Sequence, residues 1–222
     1  MVIVGLDLST KPGYAFLSMS GNNITLLEYG TLKQDKKITD KKTYPYSYVE
    51  FAEKVALDLV QVINKYNGKI DKIIIEETTS SRNNYSQKAL EFIHFAVLKE
   101  LENSTKTGNS NVLYIRDGQW KSFASARLSL EEKRNNARIQ RHKKKTGKKS
   151  IRKIGEEKVR KVTKHDAYIR AANERYNLNL KREDEDAAAA ILLATAYFLG
   201  APICDGTTDG GKVVKKEKSN EK

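Results

Sequence analysis

The chain has 222 residues, 39% of them hydrophobic and 31% charged, with a formal net charge of +13 and one cysteine. That length builds one sizeable core and excludes two large lobes; Cys204 alone excludes an internal disulfide, and with no zinc-type Cys/His spacing a reducing compartment is expected. The first apolar stretch is broken by Asp7 and lacks a basic leader, which excludes a signal peptide or membrane span and gives an intracellular, cytoplasmic protein as the expectation.

In chain order, residues 2–7 are apolar and β-branched, a Pro12-Gly13 turn leads into 14–19, and Gly21-Asn22 leads into an alternating stretch over 23–32. These read as three strands in a meander. Pro45 then precedes a helix whose Ala52, Val55, Ala56, Leu59, Val60 and Ile63 share one face, ended by Asn67-Gly68. Residues 70–76 form a strand whose unbroken Ile73-Ile74-Ile75 suits a parallel strand buried on both faces. A second amphipathic helix starts near Tyr85, with Ala89, Phe92, Ile93, Ala96 and Val97 in register. A fifth strand over 112–116 and a short helix over 117–127 follow, with Trp120 and Phe123 on the helix's inner face.

Residues from about 128 to 162 lose apolar periodicity and read as a basic insertion or flexible arm. Residues 133–164 hold 15 lysines and arginines against 2 glutamates, which equals the whole charge excess and leaves the remainder neutral. Such a strip attracts polyanions through counterion release, and nucleic acid is the commonest of them. A helix over 165–176 and a final alanine-rich helix over 183–199 complete one domain, 1–200; the Gly- and Lys-rich tail, 201–222, is expected to be disordered. This order predicts an α/β fold with a mixed five-stranded sheet, a three-strand antiparallel meander plus two parallel strands, flanked by helices. It is the order of the RNase H-like architecture.

Three of these elements deliver acids from apolar settings: Asp7, the Glu76-Glu77 pair, and Glu183-Asp184-Glu185-Asp186. In that architecture Asp7, Glu76 and Asp186 converge. Gathered carboxylates repel one another unless cations lie between them, and two divalent ions about 4 Å apart can clamp a scissile phosphate. Plainer readings exist for each: Asp7 as a turn residue, the acids at 183–186 as partners of the helix dipole. Four consecutive acids exceed what a dipole needs, and Glu183 and Asp186 are spaced i, i+3 for one helical face. Only one of Glu76 and Glu77 can face the ions, because strand neighbours point oppositely. Lys11, in the turn after Asp7, reads either as a phosphate contact or as a solvated surface-turn lysine. His94 reads as a core-edge histidine rather than a ligand, and Trp120 and Tyr85 read as packing residues, with stacking on an opened base as the alternative.

The run Gly5-Leu6-Asp7-Leu8-Ser9-Thr10-Lys11-Pro12-Gly13-Tyr14-Ala15 resembles the opening of RuvC-type Holliday junction resolvases, Ile75-Glu76-Glu77 their second acidic strand, and Asp186-Ala187-Ala188-Ala189 the start of their last helix. The resemblance covers roughly 1–127 and 163–199. It implies an RNase H-like fold and a homodimer acting on branched DNA, the four-way junction, through paired nicks that leave 5′-phosphate and 3′-hydroxyl ends. It also implies two Mg²⁺ ions per site, with Mn²⁺ able to substitute, held by the catalytic set Asp7, Glu76, Glu183 and Asp186, with Asp184 competing for Glu183's place. Lys11, Arg82, Lys143, Lys144, Lys145, Lys148 and Lys149 are expected to contact DNA. Thr79 stands where bacterial members keep an aromatic ring, and the long lysine-rich arm resembles phage or viral members. A broader branched-DNA or flap nuclease of the same fold, and a non-catalytic nucleic-acid-binding protein using the basic arm, are the rival readings. Actin-like and sugar-kinase ATPases need two lobes and are excluded by length.

Overall fold

A computed structural model describes residues 1–34, 43–66, 68–77, 84–104, 111–147 and 161–204. Five strands, β1 (Val2–Asp7), β2 (Gly13–Ser20), β3 (Asn23–Thr31), β4 (Lys72–Glu76) and β5 (Val112–Ile115), form one sheet in the order β3-β2-β1-β4-β5. β1, β2 and β3 pair antiparallel, and β1, β4 and β5 pair parallel. The sheet is the mixed one expected.

Side-chain alternation splits the core between the two faces. Val4, Leu6, Phe16, Ile73 and Ile75 pack under α1 (Tyr46–Asn64) and α2 (Asn84–Ser104). Ile3, Ala15, Leu17 and Ile74 pack against α6 (Glu185–Phe198), with α3 (Asp117–Phe123) and α5 (Lys164–Tyr176) outside it. The predicted stripe of α1, Ala52 to Ile63, is buried throughout. α6 is buried all round from Ala187 to Ala196, which explains its composition: small side chains let a central helix touch its neighbours on every side. Its one buried polar side chain, Thr195, donates to the Ile191 carbonyl (2.7 Å) and shares a 2.6 Å hydrogen bond with Tyr176.

Two glycines let α6 lie directly on the sheet. A Cβ at Gly5 would strike the Ala190 carbonyl, and one at Gly13 would strike the backbone of Asp186. Gly13 thus brings the start of α6 down onto β2.

The structure corrects four expectations. The segment expected to be an insertion or flexible arm carries a helix, α4 (Leu130–Thr146), begun by a Ser129–Glu132 capping box and ended by Gly147 in the left-handed conformation. It buries only Ile139, so it leaves almost no apolar period to read. The last helix starts at Glu185 rather than at 183, because Arg182–Asp184 forms a 3-10 turn closed by the Asp184 carboxylate accepting from the Lys181 N–H (2.8 Å). Phe123 is exposed (40%) although Trp120 is buried, since α3 stops there. The expected tail contributes to the fold at its start: Ala201 is buried and the Cys204 N–H donates to the Tyr114 carbonyl (2.7 Å) at the sheet edge. Residues 205–222 lie outside the described residues.

Close packing at Gly5 is testable against Gly118, whose Cβ would meet nothing nearer than 3.8 Å. Gly5→Ala should cost about 2–3 kcal/mol in chemical denaturation, whereas Gly118→Ala, inside α3, should be neutral or stabilising by up to ~1 kcal/mol.

Candidate active site

Strand phase decides where the acids point. Ile3 and Gly5 face α6 and Leu6 faces away, so Asp7 turns toward α6. In β4, Ile74 faces α6 and Ile75 faces away, so Glu76 follows Asp7 to the same side. Leu6 pairs with Ile75 in parallel register, which brings the next position of each strand, Asp7 and Glu76, to the same end. Gly13 delivers Asp186 from α6 to the same place.

The electrostatics record this meeting. Burial, then the charges of Glu76 and Asp186, raise the Asp7 carboxyl from 3.8 to about 8, with Lys164 and Lys121 opposing them. Asp186 is raised too, by burial first and by Glu185 second, while Ser9 and Lys11 oppose. Each acid has a positioning partner: the Trp120 indole N–H donates to Glu76 (2.7 Å), and the Ser9 hydroxyl donates to Asp186 (3.4 Å). Glu77 takes the other phase, accepting from Arg116 Nε at 3.0 Å. A cleft lined by Asp7, Ser9, Glu76, Glu77 and His94 opens beside them.

Of the residues singled out from sequence, Asp7, Glu76 and Asp186 are brought together and Lys11 stands by Asp186. Glu183 is exposed in the 3-10 turn outside α6, and Asp184 closes that turn. Lys143, Lys144 and Lys145 form the exposed last turn of α4, while Arg82, Lys148 and Lys149 lie outside the described residues. Other neighbours complete the surroundings; Lys121 and Tyr168 were not legible as site residues, Glu185 was legible only as part of the acidic run, and His94 as a core-edge histidine. Glu185 acts on Asp186 and pairs with His165 Nδ1 (3.0 Å). Lys121 pairs with Asp117, lies over the rings of Trp120 (5.1 Å) and Tyr168 (5.3 Å), and is lowered to about 8, chiefly by burial. Tyr168 is buried with its hydroxyl lacking a hydrogen-bond partner, and Glu76, Asp7 and Glu185 add to burial in raising it. His94, stacked on Tyr114, is lowered to about 4 by burial and is therefore neutral at pH 7. No local motif marks these residues, because strand, α3 and α5 meet only in three dimensions.

Comparison with solved structures settles the architecture. Thermus thermophilus RuvC in complex with a Holliday junction substrate superposes with a TM-score of 0.57 at 12% identity, covering 90% of this chain and 94% of that one. The chain has the RuvC fold. A second Thermus thermophilus RuvC structure gives 0.56 at 14% identity over the same shares, and the yeast mitochondrial Holliday junction resolvase gives 0.47 at 15% identity over 89% and 78%. No protein-family model matches the sequence, and no curated protein is similar to it in sequence.

Among the described residues of this RuvC fold, no group of three or more histidine, cysteine, aspartate or glutamate side chains is by itself arranged to hold a metal ion. The donor chemistry nevertheless fits a hard divalent cation: the converging groups are carboxylates, burial and then like charge disfavour ionisation of Asp7, and the Tyr168 hydroxyl is left without a partner beside them.

The raised Asp7 carboxyl has a thermodynamic consequence. Its ionisation is disfavoured in the folded state, so its contribution is fully present below about pH 4 and is lost as pH rises toward about 8. In chelator, Asp7→Asn should match wild type near pH 4 and exceed it near pH 8 by up to ~5 kcal/mol; thermal unfolding across pH checks this, and parallel curves would contradict it.

Proposed function

We propose that the protein is a structure-selective DNA endonuclease, a resolvase of four-way junctions, cutting by metal-ion-assisted phosphodiester hydrolysis. The observation that carries this reading is the convergence of Asp7, Glu76 and Asp186 from β1, β4 and α6 on one side of the sheet. Asp7, Glu76 and Asp186 would hold the divalent cations, Mg²⁺ or Mn²⁺, with Glu185 better placed than Glu183 to add a fourth carboxylate. When bound, such ions supply charge at the scissile phosphate and lower the pKa of water. The chain's own residues do the rest. Trp120 and Ser9 fix the carboxylates, and Lys121 and Lys164 offer positive charge to non-bridging oxygens. Hydrolysis would leave 5′-phosphate and 3′-hydroxyl ends. A role in DNA recombination and repair inside a cell follows from that substrate. No helix among the described residues is long and apolar enough to cross a membrane.

Paired nicks in a two-fold junction call for a homodimer. An apolar groove between α1 and α2, lined by Val49, Ala52, Ala56 and Phe92 and flanked by exposed Leu57 (51%) and Phe95 (68%), supports one. Its rim carries Glu53 and Glu100 beside Lys99, signs that can meet across a two-fold axis.

In a cleavage assay on a synthetic four-way junction, Asp7→Asn should bind as wild type and lose at least ~100-fold in rate, since it removes cation charge and leaves the basic surface intact. Mg²⁺ should raise the melting temperature of wild type at pH 8 and leave Asp7→Asn unmoved; undiminished cutting by the variant would refute the site. Phe95→Glu should shift the chain toward monomer in analytical ultracentrifugation, and a monomeric wild type would remove the dimer.

A further inference from the structure

α4 is divided lengthwise into two faces with different partners. Glu132, Asn136 and Ile139, spaced i, i+4, i+7, form the inner one. The Glu132 carboxylate accepts from both terminal nitrogens of Arg170 on α5, one at 3.2 Å. Asn136 donates to the Val162 carbonyl (2.6 Å) and accepts from the Val162 N–H (3.0 Å), and Ile139 is buried. Two residues further along the chain, about 200° round the helix, Arg134, Arg138, Arg141 and Lys145 form an opposite row, all exposed. Glu131, one turn before Arg134 on the same face, is the one acid of α4 in line with the row, and none follows it from Lys133 to Gly155.

A charge run on a helix is most often a solvated face, and Lys143, Lys144 and Lys145 are explained by the negative end of the helix dipole. Arg134 is not. It lies outside the last turn, as do Arg138 and Arg141, and the inner face spends two specific polar links on holding the row in place. The row spans about 16 Å, roughly five nucleotides at ~3.4 Å each along one strand of a duplex.

The links also set where the row lies. Val162, gripped by Asn136, is followed by the Thr163 cap of α5 and by Lys164, whose charge acts on Asp7; Tyr168, one turn on, approaches the same acids. We propose that α4 is a rigid rail for the phosphate backbone of a duplex arm: its inner face locks it to α5, and its Arg134–Arg138–Arg141–Lys145 face grips the arm at a fixed offset from Asp7. This rests on the nuclease reading above, and it gives the basic segment a defined geometry in place of general affinity.

The test compares the full-length chain with three variants by fluorescence anisotropy on a four-way junction and a linear duplex over a salt series, followed by mapping of cut positions with Mg²⁺. Replacing Arg134, Arg138 and Arg141 by Gln should weaken binding at least ~10-fold and flatten the log K against log salt slope by about 2–3. A control of equal charge, Lys65, Lys69 and Arg175 each to Gln, all exposed and outside both the groove and the acidic site, should change the slope by less than about 1. Asn136→Ala, which alters no charge, should keep the slope and spread the cuts over several phosphates. Equal effects of the two triple variants would reduce the rail to bulk charge, and unchanged cut positions in Asn136→Ala would remove the lock; either overturns the proposal. A wild-type chain that binds the junction but never cuts it would count against the nuclease reading while leaving the slope comparison decisive for the rail.

Discussion

Packing buries Asp7 beside two other acids, and that burial and those charges together disfavour its ionisation. Asp7 ends the central strand, Glu76 ends its parallel neighbour, and Asp186 begins the helix that crosses them. None of the three can leave: the first two are fixed by strand register, the third by a helix that rests on Gly5 and Gly13 without room for a Cβ. With the backbone fixed, burial first and the neighbouring charges second disfavour ionisation of Asp7, and a proton relieves both. Lysines from α3 and α5 oppose this without cancelling it.

The same packing explains which parts of the molecule were legible in the sequence. Val2–Asp7 and Lys72–Glu76 announce themselves because apolar β-branched runs end abruptly in acid, and α1 because Ala52 to Ile63 keep a helical period against the sheet. The glycines of the opening motif were legible as a pattern; their reason, backbone contact with α6, required three dimensions. α4 was misread because a helix held by Glu132, Asn136 and a single isoleucine has no apolar stripe. The start of α6 was misplaced because a run of four acids does not reveal which one closes a turn, and Asp184 does. Lys121, Lys164 and Tyr168 were invisible as chemistry because they reach the acids only after α3 and α5 dock.

A shared RuvC fold at 12–14% identity fixes architecture and leaves chemistry to be argued from the site. This chain joins a neutral body to a basic segment that is partly helical and tied to α5 through Glu132 and Arg170. Its excess basic charge and its converging acids therefore lie on different elements.

If Asp7, Glu76 and Asp186 share divalent cations as proposed, anomalous diffraction from crystals soaked in Mn²⁺ should show manganese peaks between them, with the Asp7 carboxylate in direct coordination. Manganese bound only elsewhere on the surface, with Asp7 touching no ion, would overturn that assignment.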